Sequence, residues 1–533
     1  MTLAWIGDDH DEARPSEAEA AFGLRDRRPK ASAGAPLAPP LRLIAGPLTF
    51  LFGLMMFAPG ASLAIALGLV GLLVAGVAVL RFCGAVLRPA YAERTPLADA
   101  DLPRASVIVA LHKEAEVCAG LVAALSRLDY PAGELEILLA LEHHDFDTIA
   151  AARAAARRGG VKVLVLGPCG PTTKPRALNF ALQAASGEIV AVYDAEDAPS
   201  AGQLRAAAEA FAADPGLGAV QAPLNWYNAN DNALTRQFAL EYAAQFDALL
   251  PAYARLGLPL PLGGTSNVFR RTALEDAGGW DPFNVTEDAD LGFRLARHGW
   301  RCGLIEPRTL EEAPVTLKAW TGQRSRWLKG HLVTWLVHMR DPRGLAQQAG
   351  LRALAGLQLS LLANVLFAGL FAPGLVLLAF SITLALTGTA GFAAMCGLCL
   401  AGAAYAAAFA CTVQGARRAG VKAGLLDYAA MPVYWLAQGP ALLRALREMP
   451  GRSYVWVKTR HGVSRTRREA PDAAMDDIAA DGAGRRPVRP VGLAQRASVR
   501  PASAALHSLD DDHAGVRRLL PDAADPSVQP VRA

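Results

Sequence analysis

Glu188–Asp197 reads EIVAVYDAED, a short apolar run that ends in three acids. Bounded by Gly187 on one side and Pro199 on the other, it has the length and β-branched content of a strand buried on both faces. Asp194, Glu196 and Asp197, packed at the end of such a strand, repel one another strongly unless a cation lies among them. An acidic, turn-forming loop is the competing reading. Working outward, the same texture recurs. Ser106–Leu111, Leu135–Leu141, Val161–Leu166 and Ala219–Pro223 are further short apolar runs, and Glu116–Leu128, Thr148–Arg158, Arg176–Ala185 and Gln203–Ala213 carry helical spacing between them. Strands alternating with helices indicate an α/β domain with a mostly parallel sheet, drawn here over residues 88–344. Ligands of such sheets sit beyond the carboxyl ends of the strands.

The surroundings of this domain are apolar. The chain has 533 residues, 52% of them hydrophobic, and a mean hydropathy of +0.22, too apolar for an ordinary soluble enzyme. Residues 41–87 are apolar except for Arg42 and Arg81, with a break at Pro59-Gly60, which leaves room for a hairpin of two spans of about 20 residues each. Residues 345–463 hold two to four more spans or interfacial helices. Basic residues at both ends of the hairpin, and Arg417, Arg418, Lys422, Arg444 and Arg447 further on, place the α/β domain in the cytosol of a multi-pass inner (plasma) membrane protein. The net charge of +4 is too small to suggest a nucleic-acid partner. Residues 1–40 and 464–533, mixed in charge and rich in Ala and Pro, are expected to be disordered. Asp8, Asp9, Asp11 and Glu12 precede any apolar core, so no secretory signal is expected. The seven scattered cysteines read as small buried hydrophobes. Arg485 and Arg489 have the spacing of half a cyclic-di-GMP site, with no companion motif after them.

Each motif of the α/β domain has a functional and a structural reading. Glu114, after the first strand, suits a ribose or uracil contact, or merely opens a helix where the macrodipole favours acid. Glu142, His143, His144 and Asp145 follow the second strand; neighbours on a loop rarely converge on one ion, so no metal is expected there. Lys174, at the start of a helix, can meet diphosphate charge. Asn225-Trp226-Tyr227-Asn228 offers rings for a sugar or for the core. Gly263-Gly264-Thr265-Ser266-Asn267 permits a tight loop with exposed N–H groups. Thr286-Glu287-Asp288 opens an amphipathic helix: Thr286 suits an N-cap and the acids suit a first turn, while one acid could act as a base. Thr321–Gly330, TGQRSRWLKG, combines Gln323, Arg324, Arg326 and Trp327, which supply hydrogen bonds, positive charge and a flat stacking face.

Taken in order, Lys174-x-x-Ala-Leu-Asn, the acids at 194–197, Thr286-Glu287-Asp288 and Gln323-x-x-Arg326-Trp327 resemble the processive, cellulose-synthase-like branch of the inverting family 2 glycosyltransferases. The resemblance covers about Arg104–Gly330. It implies a GT-A-type domain inserted between transmembrane helices. It also implies a UDP-sugar donor, with Glu114, Glu142, Lys174 and Asp194 on the nucleotide sugar and Asp288 as the general base. A Mg2+ or Mn2+ ion would be held by Asp194 with Glu196 or Asp197; the usual Asp-x-Asp is here Asp-Ala-Glu-Asp, so the register stays open. Gly264, Thr265, Glu287, Gln323, Arg324, Arg326 and Trp327 would serve acceptor and diphosphate. The product is expected to be a growing β-linked polysaccharide, with export partners unknown; the alternatives are a single transfer to a lipid or lipid-phosphate and a non-enzymatic membrane scaffold. Tyr454–Gly462 resembles a segment that follows the last membrane helix in some bacterial relatives.

Overall fold

In the computed structural model, the described residues are 15–37, 49–454 apart from 51, 158–159 and 453, and Ser464. The described residues include ten strands and seventeen α-helices. The strands are β1 (Ala105–Leu111), β2 (Leu135–Glu142), β3 (Val161–Leu166), β4 (Ile189–Tyr193), β5 (Ala198–Pro199), β6 (Leu217–Gln221), β7 (Leu224–Trp226), β8 (Asn267–Arg270), β9 (Arg301–Leu304) and β10 (Thr309–Glu311). Seven form one sheet in the order β3-β2-β1-β4-β8-β6-β9, and β5-β10-β7 form a second. Pairs β2–β3, β1–β2, β1–β4 and β6–β9 are parallel, whereas β8 runs antiparallel between β4 and β6. This is the GT-A-like, mostly parallel α/β arrangement.

Both faces of the large sheet are covered. Along β1 and β2, Ile108, Leu138 and Ala140 enter one core cluster, while Val107, Val109, Ile137 and Leu139 enter the other. The alternation is the period-two geometry of a pleated strand, and burial on both sides is why these strands read as continuous apolar runs. The expected strands are all present, the fifth as Leu217–Gln221 rather than Ala219–Pro223. The five short strands β5 and β7–β10 carry no comparable run.

The helices are α1 (Glu17–Arg27), α2 (Pro59–Val86), α3 (Cys118–Leu125), α4 (Phe146–Ala156), α5 (Lys174–Ala184), α6 (Gln203–Ala213), α7 (Ala233–Ala244), α8 (Leu250–Leu256), α9 (Arg271–Ala277), α10 (Glu287–Arg297), α11 (Leu317–His338), α12 (Pro342–Leu357), α13 (Ala363–Leu386), α14 (Phe392–Ala419), α15 (Leu425–Ala429), α16 (Met431–Leu436) and α17 (Gln438–Arg452). Among the described residues, three stretches are long and apolar enough to cross a membrane: α2, the continuous 342–386 stretch and α14. Their flanks expose Leu72, Val376 and Leu386 at 72%, 70% and 84%, an apolar surface that water would not tolerate. The 342–386 stretch is broken at Gly350, whose φ of 82° lies in the left-handed region, and relaxes through a π-helical turn at Gln358–Leu362. Of the first span expected in residues 41–87, residues 41–48 and 51 fall outside the described residues. So do the arginines at 485 and 489, most of Tyr454–Gly462, and the tail after Ser464.

One expectation is corrected. Residues 15–37, expected to be disordered, fold onto the α/β domain. Ser16 accepts from the Glu19 N–H at 3.2 Å, and α1 buries Ala20, Ala21 and Leu24. Glu17 meets Arg176 at 3.0 Å, and Arg340 donates to the carbonyls of Ser32 and Ala35. Backbone carbonyls satisfied by a distant arginine explain why a segment with little apolar content is ordered.

The apolar helices dock on the α/β domain at glycines. A methyl group at Gly415 of α14 would strike the Ala243 carbonyl of α7, and one at Gly84 of α2 would crowd the Ala248 carbonyl. Arg418 fastens the junction, donating to the carbonyls of Asp247 at 2.9 Å and Leu87 at 2.7 Å. Between α7 and α8 the chain takes one π-helical turn at Gln245–Leu249, a local insertion that often marks functional sites.

Candidate active site

The carboxyl ends of β1 and β4, the start of α5, the Gly263–Thr265 loop, the start of α10 and the middle of α11 converge on one cavity of about 680 Å3. Lys174 is the first residue of α5. Its Nζ reaches Asp194 Oδ1 at 2.5 Å and the Gly264 carbonyl at 2.6 Å. Burial works against its charge, but Asp194, Glu287 and Asp288 outweigh it and hold the ammonium above its ordinary range.

The three acids after β4 divide their work. Asp194 and Glu196 line the cavity. Asp197 is only 1% exposed; one of its oxygens accepts the Asp194 N–H at 2.7 Å and the Thr265 hydroxyl. Its other oxygen has no hydrogen-bond partner. Glu311, from β10, completes the group: it is buried, lines the cavity and leaves Oε1 without a partner. Burial, then the Asp194 and Glu196 charges, push Asp197 well above the carboxylate range. Burial, then Asp197, Glu196 and Asp194, do the same to Glu311. Clustered carboxylates with orphaned oxygens and one lysine among them fit a hard divalent cation. Sequence reading missed Glu311, because a three-residue strand in the second sheet gave no sign that it would face the 194–197 loop.

Thr286 stands at the N-cap of α10, but its side chain makes no capping bond; its hydroxyl instead meets Thr334 of α11 at 3.4 Å. Gly330 lets α11 approach, since a methyl there would overlap the Thr286 side chain. One turn on, Asp290 is held by Arg294 at 2.6 Å and His338 at 3.0 Å. These contacts clamp the start of α10 to α11 and fix Glu287 and Asp288. Asp288 stands over the glycine loop, its Oδ2 3.4 Å from where a β-carbon on Gly264 would lie, while Oδ1 is buried without a partner. Burial pushes Glu287 up to about 7 and Asp288 up to about 6, against the lowering pull of Lys174 and Arg326.

The residues of α11 take unequal parts. Gln323 is buried, lines the cavity and leaves Oε1 without a partner. Arg326 donates to the Val285 carbonyl at 3.3 Å. Arg324 is bound by Glu241 at 2.9 and 2.5 Å and lies over the Trp327 ring, 4.7 Å from its centroid. Trp327 packs against Tyr242, 6.1 Å between centroids, and against Phe238. The Arg324 charge is therefore already neutralised, and Trp327 is part wall and part core.

Glu114, Gly264 and Thr265 line the cavity. Glu142 faces away: it is 4% exposed and holds Arg176 through both oxygens, at 3.2 and 3.3 Å. Glu142, His143 and His144 do converge, with ligand atoms within 4.8 Å of one another; the loop reading that neighbours point apart is corrected, although Arg176 already occupies the carboxylate. Trp226 is 4% exposed and packs against Phe238 and Tyr242 with tilted rings, so it serves the core. Beyond Trp327 the cavity continues between apolar helices, past Val74 of α2, Phe371 of α13 and Tyr405 of α14.

Residues 103–330 match the sequence model of the family described as "Glycosyltransferase like family 2". The β-monoglucosyldiacylglycerol synthase of Trichormus variabilis is 32% identical over 235 residues, covering 43% of this chain and 49% of that one. Glucomannan 4-beta-mannosyltransferase 1 of Cyamopsis tetragonoloba is 32% identical over 148 residues, 27% of each chain. The chain thus spans about half the length of the first of these relatives. Among solved structures, a mannosyltransferase of Pyrobaculum calidifontis in complex with GDP-Man and Mn2+ aligns over 72% of this chain and 97% of its own, at 21% identity and a TM-score of 0.47.

Proposed function

We propose that this chain, whose residues 103–330 form a family 2 glycosyltransferase domain, moves a single sugar from a UDP-sugar to a hydroxyl of a membrane lipid, with inversion at the sugar carbon. The observation that carries the reading is the continuity of the cavity, which begins among Lys174, Asp194 and Asp288 and ends between α2, α13 and α14. An acceptor whose reactive end must reach buried carboxylates while its body stays among apolar helices is a lipid. The synthase of Trichormus variabilis, named for a glucosylated diacylglycerol, supports the same class of acceptor. The expectation of a growing polymer rested on Gln323, Arg326 and Trp327. Arg326 and Trp327 already make contacts within the protein, and Gln323 can serve a lipid or a glycan acceptor alike, so the motif does not by itself require a polymer.

In the proposed reaction the donor lies with its nucleotide towards Glu114 and its diphosphate by Lys174 and Arg326. Asp194, Glu196 and Glu311 would hold a Mg2+ or Mn2+ ion, which when bound neutralises the diphosphate and eases its departure. Asp288 takes the proton of the acceptor hydroxyl, whose oxygen bonds to the sugar carbon as the bond to UDP breaks. Its pKa of about 6 keeps it ionised near neutrality while leaving it basic enough to accept a proton. Gln323 offers its unpartnered oxygen to a hydroxyl of sugar or acceptor, and Trp327 walls the sugar. Glu287, Glu311 and Gln323 are buried, and water kept from that side of the cavity favours transfer over hydrolysis.

Incubating membranes that contain the protein with a panel of labelled UDP-sugars tests the reading. Label extracted into organic solvent is expected for at least one sugar; label found only in material that solvents do not extract and size as polymer would overturn it.

A further inference from the structure

Among the described residues, four cations line the cavity, and three of them are engaged. Lys174 holds Asp194, Arg324 holds Glu241, and Arg326 donates to the Val285 carbonyl. Arg81, near the end of α2, is the fourth. It is half-buried, and its guanidinium stands 6.0 Å from the Trp435 ring centroid. Among the described residues it has no carboxylate partner and no hydrogen bond. Tyr253 and Cys411, which lie within reach of its charge, carry no carboxylate. A guanidinium on an apolar helix is costly to keep and marks a functional position unless an anion or water answers it. A topology signal alone is the plainer account, but Arg418 stands at the same junction, and its guanidinium is spent on the carbonyls of Gly84, Leu87 and Asp247.

The position of Arg81 along the cavity says what the anion belongs to. Trp435 adjoins Tyr434, whose hydroxyl donates to Glu241 at 2.5 Å and accepts from Arg324 at 3.3 Å. Arg324 covers Trp327, and Arg326, next in the chain, reaches Val285 just before the Glu287–Asp288 pair. Arg81 thus stands on the membrane side of a run of side chains that leads to the base. We propose that Arg81 receives the phosphate of the acceptor, and that the acceptor is an anionic phospholipid whose phosphate lies between its acyl tails and a headgroup hydroxyl. This rests on the lipid-acceptor reading above and names the lipid class. The headgroup hydroxyl oxygen bonds to the sugar carbon, the bond to the diphosphate breaks with its electron pair leaving on UDP, and the hydroxyl proton passes to Asp288. The phosphate is a handle and takes no part in bond making. A planar guanidinium suits it, offering two parallel donors to two phosphate oxygens.

The test uses the full chain in phosphatidylcholine nanodiscs that contain either phosphatidylglycerol or diacylglycerol, with the labelled UDP-sugar that the panel identifies. Transfer to phosphatidylglycerol is expected to exceed transfer to diacylglycerol. Arg81→Gln is expected to raise the KM for phosphatidylglycerol by roughly 10- to 100-fold, the reach of a charge-assisted pair, with UDP affinity unchanged. Arg81→Lys is expected to recover much of the loss. Equal use of both lipids by wild type and Arg81→Gln would overturn the inference and leave the lipid-acceptor reading standing. Loss of UDP affinity in Arg81→Gln would make the residue structural and also overturn it. Polymer in place of any glycolipid would overturn both readings.

Discussion

Replacing Asp288 with Asn changes one atom of the proposed base and little else. Oδ1 has no hydrogen-bond partner, so no internal bond is lost, and Lys174 keeps Asp194 and the Gly264 carbonyl for the donor. UDP affinity should therefore stay within a few-fold of wild type, while turnover should fall by about two to four orders of magnitude, the usual reach of general-base catalysis. The pH dependence follows from the same group. Burial holds Asp288 up to about 6, and only its ionised form accepts a proton, so wild-type kcat/KM should fall as pH drops through about 6, approaching tenfold per unit. The variant should lose that limb. Stability moves the other way. A carboxyl whose folded pKa lies above its unfolded value favours the fold at low pH, and that contribution is lost as pH rises through the folded value. Asp288→Asn should thus raise the Tm at pH 8, in the absence of metal and donor. UDP release measured across pH, titration calorimetry with UDP and thermal unfolding cover all three. A variant that cannot bind UDP, or a wild-type rate that stays flat from about pH 5 to pH 8, would refute the assignment of Asp288 as base.

Three further outcomes follow from the site. Chelation should abolish transfer and added Mg2+ or Mn2+ should restore it; Glu311→Gln should weaken Mn2+ binding read by electron paramagnetic resonance, and unchanged binding would remove Glu311 from the ion. Trp327→Ala should raise the acceptor KM by roughly 5- to 150-fold, by analogy with aromatic stacking worth about 1 to 3 kcal/mol, while sparing UDP affinity. A parallel fall in UDP affinity and Tm would instead assign Trp327 to the core it shares with Tyr242 and Phe238. Gly330→Ala should push Thr286 aside and, by misplacing Asp288, lower kcat by about 10- to 100-fold with donor affinity retained; a wild-type kcat would show that the α10–α11 contact does not position the base.

The legible parts of the sequence were those with a strong local signal. A double-faced buried strand must be apolar along its whole length, so β1–β4 could be read, and an acid at a strand end has few other reasons to be there. The glycine loop, Lys174 and the Glu287–Asp288 pair also fall where strand ends and helix starts place them. What could not be read depends on pairing at a distance. Arg324 looked available to a diphosphate until Glu241 of α7 came beside it. Glu142 looked free for a nucleotide until Arg176 closed on it. Glu311 joined the acid cluster through the register of β10 with β5 and β7, which no periodicity announces. The order of residues 15–37 did have a signal: Ser16-x-x-Glu19 is the pattern of a helix start. It was obscured by the mixed charge around it, and by the absence of any hint that Arg176 and Arg340 would gather the segment in.

The most direct test of the account is the product made by the purified full chain in lipid nanodiscs, characterised by mass and by the configuration of the new linkage. One sugar per lipid, joined through the anomer opposite to that of the donor and absent with Asp288→Asn, is the predicted result. A polysaccharide, or a glycolipid that keeps the donor's configuration, would contradict it.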